Sequence, residues 1–108
     1  MAYSSVVVFV ETAVFTRRVQ EHLSDDEYAD LQLFLVERPD AGKVIKQSGG
    51  IRKLRWAGSG RGKRGGLRVI YYWWVGKDRI SMLMVYPKNE RDDLTADQLK
   101  QLRSQLVL

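Results

Sequence analysis

The chain has no cysteine and a single histidine. Without cysteine there is neither a disulfide framework nor a thiolate metal site, which agrees with a reducing cytoplasm. One histidine excludes a nuclease that uses two imidazoles as base and acid. His22 lies beside Arg17, Arg18 and Glu21 in a predicted helix, which is typical of an ordinary surface histidine. We therefore expect no metal ion and no other cofactor.

Long hydrophobic runs are also absent. No apolar stretch approaches the length that spans a membrane, and VVVFV near the start is too short for the hydrophobic core of a signal peptide. We expect no membrane partner and a cytoplasmic location. A length of 108 residues predicts one domain, residues 1–108, with a modest core.

Acidic residues are missing from residues 41–77, and this segment holds 10 of the 18 Lys and Arg residues. Seven of these cations lie in the stretch GGIRKLRWAGSGRGKRGGLRVIYY: Arg52, Lys53, Arg55, Arg61, Lys63, Arg64 and Arg68. Because like charges on a folded hairpin repel each other and no acid answers them, we expect a polyanion such as RNA to bind here.

Apolar periodicity predicts the order β-α-α-β-β-β-α and an α+β fold. We expect a small, twisted, mainly antiparallel sheet with two N-terminal helices, a C-terminal helix, and one face left partly open. The predicted strands are Ser5–Glu11, Ile51–Ala57, Leu67–Val75 and Ile80–Tyr86, and the helices are about Thr12–Leu23, Ser24–Arg38 and Thr95 onward. Residues 40–50 and 58–66 are predicted to be a weakly structured connector and a loop.

Two pairs have the spacing of capping boxes, Ser24 with Glu27 and Thr95 with Gln98. They mark the starts of the second and third helices. Asp92 and Asp93, just before the last helix, are interpreted as charge at its N-terminus and not as metal ligands.

Strand alternation separates the cations into two sets. Lys53 and Arg55 point to one side of their strand, and Arg52 points to the other with the apolar residues. We expect Lys53, Arg55, Arg68 and Tyr72 to share the open face, where cations and a phenol ring suit phosphates and bases. A charged face that is merely solvated is the alternative interpretation.

The loop GSGRGKRGG contains glycines and a lysine, but it lacks the GxxxxGK[ST] pattern of a nucleotide phosphate site. It also joins two strands, not a strand and a helix. A basic finger that closes on RNA is therefore the preferred interpretation.

GGIRKLR, GRGKRGG, LRVIYYW and VYPKNERDDLT followed by a short helix resemble, in order and spacing, RelE/HigB-type toxins, and FVET and SDDEY resemble the HigB branch. The resemblance implies a metal-independent, ribosome-dependent endoribonuclease that cuts mRNA. It also implies a cognate helix-turn-helix antitoxin that neutralises the toxin, with operator DNA bound only through the antitoxin complex.

The resemblance also implies catalytic candidates, which are Lys53, Arg55, Arg68 and Lys88. The RNA-binding candidates are further cations and two phenol rings that could stack on bases: Arg52, Arg61, Lys63, Arg64, Arg91, Tyr72 and Tyr86. The chain departs from RelE at Asn89, where RelE has an arginine, and at Thr95, where RelE has a tyrosine.

With no histidine pair, the chemistry would depend on Lys and Arg. Neighbouring cations lower the pKa of a lysine, so Lys53 is a candidate base, and Arg55, Arg61 and Arg68 are candidates for stabilising the transition-state charge. Two alternatives remain open: an RNA- or ribosome-binding module without chemistry, and an interaction protein whose basic face docks an acidic partner segment.

Overall fold

The computed structural model describes residues 6–57, 66–91 and 93–106. These residues contain five strands and three helices. The strands are β1 (Val8–Glu11), β2 (Lys43–Val44), β3 (Arg52–Trp56), β4 (Leu67–Trp74) and β5 (Arg79–Pro87). The helices are α1 (Ala13–His22), α2 (Asp25–Glu37) and α3 (Ala96–Ser104). The predicted α+β class and element order are confirmed, with one addition: the expected connector contains the short strand β2.

The strands form one sheet in the order β1-β5-β4-β3-β2. Strands β2 to β5 form an antiparallel meander. Strand β1 pairs in parallel with β5 at the edge of the sheet, and helices α1 and α2 connect β1 to β2. No helix within the described residues is long and apolar enough to cross a membrane.

The helix starts follow the local sequence. Thr12 caps α1 by accepting a hydrogen bond from the Phe15 N–H, and both predicted capping boxes, at Ser24 and Thr95, are formed. Each cap satisfies backbone donors that the first helical turn leaves without partners. Thr95 is therefore the N-cap of α3. The segment before it, which follows β5, is called the β5–α3 connection (residues 88–94).

Helices α1 and α2 cover one side of the sheet, here called the α1–α2 face. Its core joins helix residues to alternate strand residues: Phe15, Val19, Leu31 and Leu35 with Leu54, Leu67, Val69, Tyr71, Met82 and Val85. The opposite side, the α3 face, is covered in its middle by α3, whose Leu102 packs on Ile51, Ile70, Leu83 and Tyr86. The expected open face is therefore open only on either side of α3.

A β-bulge in β5 explains why its apolar sequence has no simple alternation. Ile70 is opposite Met84, but the next residue of β4, Tyr71, is opposite Met82, so Leu83 is the extra residue. Leu83 and Met84 both pack on the α3 side. The bulge thus shifts the alternation within β5, as an inserted residue does in antiparallel pairs.

Candidate nucleic-acid interface

Three of the predicted cations are grouped on the α3 face. Arg55 of β3 lies directly opposite Arg68 of β4, and Lys53 is two residues from Arg55 on the same side of its strand. Arg55 is exposed, and Lys53 and Arg68 are half-buried. We call Lys53, Arg55 and Arg68 the cation cluster, and their predicted grouping agrees with the register.

An acidic residue faces the cation cluster, which the sequence interpretation did not anticipate. Lys53 Nζ donates a hydrogen bond and forms an ion pair to Asp93 Oδ1. The pKa of the Asp93 carboxyl is lowered, first by this hydrogen bond and then by the charges of Lys53, Arg55 and Arg68. The cation cluster, whose own segment of sequence contains no acidic residue, therefore faces one carboxylate from outside that segment.

The β5–α3 connection that carries Asp93 is attached to α1. Arg18 donates from Nε to the Val85 carbonyl at 2.9 Å and forms an ion pair with Glu90 at 2.5 Å. The hydrogen bond from Arg18 lowers the pKa of Glu90, with further lowering from the charges of Arg18 and Arg91. These contacts hold the connection beside the sheet, so that Asp93 can reach Lys53.

Lys88 is exposed at the start of this connection, and its N–H donates to the Gly66 carbonyl at 3.1 Å. Gly66 precedes β4, and Arg68 is opposite Tyr86, so Lys88 lies at the same end of the sheet as the cation cluster. It is placed to extend the positive surface beyond Arg68.

Tyr86 is not available as a stacking surface in this conformation. Its relative exposure is 0%, it lies in the core beneath α3, and the guanidinium of Arg91 is 5.8 Å from its ring centroid. Arg91 is half-buried there and also contacts Glu90 at 3.2 Å. Both predicted RNA-binding residues thus take part in holding the β5–α3 connection.

Tyr72 shares the α3 face and is a diagonal cross-strand neighbour of Lys53, on the side of Ile70 that is opposite to Arg68. It lies four residues along β4 from Arg68, about 13 Å, and Ile70 between them is buried under α3. The Tyr72 ring is in edge contact with Trp74, with centroids 4.9 Å apart. The register thus agrees with the expectation that the three cations and this phenol share one face, with Tyr72 beside Lys53 and away from Arg68.

Arg52 points to the α1–α2 face. Its Nη1 donates to the carbonyls of Asp40 at 3.1 Å and Gly42 at 2.7 Å, and its guanidinium is 5.8 Å from the Trp73 ring centroid. Although the sequence interpretation included Arg52 among the RNA-binding residues, the structure gives it a role in fixing the turn before β2.

The remaining candidates, Arg61, Lys63 and Arg64, lie outside the described residues and stay predictions. Among the residues that are described, no three acidic or histidine side chains are grouped as a metal site would need. What the described surface offers chemically is a set of positive donors, which suits binding of an anion and stabilisation of negative charge.

Sequence reasoning missed two charged residues, Asp93 and Lys43. Asp93 was noticed only as charge near a helix start, and its contact with Lys53 spans 40 residues of sequence. Lys43 of β2 lies directly opposite Lys53 of β3. A two-residue strand has no periodicity of its own, so no pattern in the sequence predicted that neighbour.

Comparison with known proteins gives a family and a fold. The family model described as "RelE toxin of RelE / RelB toxin-antitoxin system" matches residues 7–106. A solved structure of a double arginine-to-alanine mutant of the E. coli toxin RelE, in the free state, matches with a TM-score of 0.60 at 10% sequence identity. The match covers 95% of this chain and 100% of the other. At that identity the structural match supports the fold alone.

Proposed function

This chain belongs to the RelE toxin family of toxin–antitoxin systems, and we propose that it is an endoribonuclease that stops translation by cutting mRNA on the ribosome. Its assignment to the HigB branch is part of this proposal. A cognate antitoxin, of the helix-turn-helix kind in this branch, would neutralise it and carry it to operator DNA.

The observation that carries the proposal is the grouping of Lys53, Arg55 and Arg68 on one face of the sheet, where Lys53 is paired with the surface carboxylate of Asp93. Asp93 has 71% of its side chain exposed, so solvent and solutes can reach its contact with Lys53. A phosphate diester carries the same single negative charge. We infer that an RNA phosphate replaces Asp93 against the cation cluster.

The reaction needs no external nucleophile because RNA has a 2′-hydroxyl. Its oxygen attacks the adjacent phosphorus while its proton passes to a base, the bond from phosphorus to the 5′ oxygen breaks, and that oxygen takes up a proton. Arg55 and Arg68 are arranged to stabilise the negative charge that develops on the phosphorane oxygens, and an arginine fork can do so with two hydrogen bonds.

Lys53 remains the candidate base, and it can accept a proton only after its amine has left Asp93 and lost its own proton. Arginine is a poor proton donor because its pKa is very high. A site with such weak acid–base groups depends on positioning, which can supply several kcal/mol of the barrier reduction. This is the physical reason to propose that the ribosome orients the mRNA.

The test is Arg68→Ala, with Arg17→Ala as the control of equal charge change on exposed α1. After brief induction, the 5′ ends of transcripts are mapped and growth is followed. We expect the wild type and Arg17→Ala to arrest growth and give new 5′ ends within coding regions. Arg68→Ala should lower cleavage about 100-fold or more. Undiminished cleavage by Arg68→Ala would remove this residue from the site.

The same growth and 5′-end measurements distinguish the nuclease from a module that only binds RNA or the ribosome. A protein that only occupies the ribosome would arrest growth without producing new 5′ ends. Ribosome dependence is tested with purified protein on naked RNA, where we expect almost no cutting. Rapid cutting of naked RNA would contradict that part of the proposal.

A further inference from the structure

Lys43 extends the cation cluster onto a third strand. It is the direct cross-strand neighbour of Lys53 and therefore points to the same side of the sheet. Its side chain is exposed, and none of the ion pairs among the described residues involves it. Lys43, Lys53 and Arg68 thus lie on three successive strands, with the Cα atoms of Lys43 and Arg68 about 12 Å apart.

The backbone around Lys43 is held firmly by buried groups. The Tyr71 hydroxyl donates to the Pro39 carbonyl at 2.7 Å and accepts from the Gly42 N–H at 2.8 Å. Arg52 binds the Gly42 carbonyl from the same side. A side chain at residue 42 would meet the Tyr71 ring, since a Cβ there would be 2.8 Å from a ring carbon. Lys43 therefore starts from a fixed position beside Lys53.

A hollow lies between this turn and β3. Its volume is about 370 Å³, and its lining includes Ala41, Lys43, Lys53 and Arg55. The pairing of β2 with β3 stops at Lys43, and the N–H of Ala41 donates to the Arg38 carbonyl instead of continuing the ladder. The edge of β3 beside Arg55 is consequently open to a solute, with cations on both sides of the opening.

We propose that this hollow binds a second phosphate of the RNA, next to the one held by the cation cluster, and that Lys43 is the residue that contacts it. Lys43 and Arg68 are two strands apart across the sheet and two residues apart along it, about 12 Å between their Cα atoms. A single-stranded chain with consecutive phosphates is the ligand that can contact the whole row. This inference rests on the proposed function and adds to it a binding residue outside the reacting group.

The first test measures binding without cleavage, using a short single-stranded oligothymidylate, which lacks the 2′-hydroxyl. Lys43→Gln is compared with Lys77→Gln, an equal loss of charge at an exposed turn at the far end of β4. We expect Lys43→Gln to weaken binding about three- to tenfold at low salt and to reduce the slope of log K against log salt by about 0.7. Lys77→Gln should stay within about twofold, and Lys43→Arg should bind like the wild type.

The second test measures cleavage of ribosome-bound mRNA. Because Lys43 would contact a phosphate that does not react, Lys43→Gln should raise the half-saturating concentration by a similar factor and leave the maximal rate within about twofold. Equal behaviour of Lys43→Gln and Lys77→Gln would overturn the inference, as would a fall in maximal rate with unchanged half-saturation.

The two proposals fail separately. Oligothymidylate binding that depends on Lys43, without any mRNA cutting by the wild type, would overturn the nuclease and keep the second phosphate position. Cutting by the wild type that is independent of Lys43 would overturn only the second phosphate position. A wild type that does not bind oligothymidylate at about 50 mM salt would also overturn it.

Discussion

The two faces of the sheet use the same strands for different purposes. On β3, Arg52 and Leu54 point to the α1–α2 face, and Lys53 and Arg55 point to the α3 face. On the first face the guanidinium of Arg52 is satisfied by main-chain carbonyls, which cannot leave. On the second, Lys53 is paired with an exposed carboxylate.

The difference lies in what can replace each partner. Arg52 and Lys53 are both half-buried, but the carbonyls that bind Arg52 belong to the main chain and stay in place while the turn is folded. A cation at the margin of α3 remains beside water, so its pairing with Asp93 contributes little stability and another anion can displace it. The α1–α2 face should therefore respond to mutation mainly in stability, and the exposed end of the α3 face mainly in activity.

The largest expected effect tests the first half of that comparison. Phe15 is fully buried on the α1–α2 face, 5.8 Å from the Tyr28 ring centroid. Phe15→Ala should lower the free energy of unfolding by about 3–5 kcal/mol in urea titrations because it removes buried area and leaves a cavity. Leu33→Ala, at a residue that is 62% exposed, and Arg68→Ala should each change it by less than about 0.5 kcal/mol. A large loss in Arg68→Ala would break the comparison.

A smaller loss of stability is expected at Tyr71, whose ring is in the same core and whose hydroxyl makes two hydrogen bonds to the main chain. Tyr71→Phe keeps the ring but leaves the Gly42 N–H and the Pro39 carbonyl without the hydroxyl. We expect the free energy of unfolding to fall by about 1–3 kcal/mol, the cost of unsatisfied buried groups. Tyr72→Phe on the α3 face is the matched control and should have little effect. Equal effects would mean that the turn is not held by the Tyr71 hydroxyl.

On the α3 face, Asp93→Asn should alter binding and leave folding nearly unchanged. Removing the carboxylate frees Lys53 from its counter-ion without changing the shape of the side chain. We expect oligothymidylate affinity to rise roughly two- to fivefold, the range of an exposed ion pair. Asp97→Asn in the first turn of α3 controls for net charge. Weaker binding by Asp93→Asn would contradict the displacement of this carboxylate by phosphate.

The smallest expected effect is a change in titration. The pKa of Asp93 is lowered in the folded chain, so its ion pair adds stability above the ordinary aspartate pKa and loses it as pH falls through the lowered value. Lys53→Met should raise the pKa of Asp93 toward the ordinary value, only part of the way because Arg55 and Arg68 remain. Carboxyl NMR titration of both proteins measures the difference, and an unchanged midpoint would show that Lys53 is not the main partner.

Much of the fold was predictable because its signals are local. The capping boxes at Ser24 and Thr95 depend on residues three apart, and the side on which Lys53 and Arg55 lie depends on alternation within one strand. The strand and face of Tyr72 and the strand of Tyr86 were predicted in the same way. Alternation does not say where a helix from another part of the chain will cover a face, so the burial of Tyr86 beneath α3 was not predicted.

The sequence alone determined the elements, the segregation of cations to one segment, and the sides of the strands to which those cations point. Only the tertiary structure decided that Asp93 meets Lys53, that Lys43 lies beside Lys53, and that Arg52 binds the carbonyls of the turn before β2. Propensity and periodicity act over a few neighbouring residues, whereas these contacts join residues up to 40 positions apart. They exist because sheet register and helix packing bring distant segments together, and a single sequence contains no local signal for that arrangement.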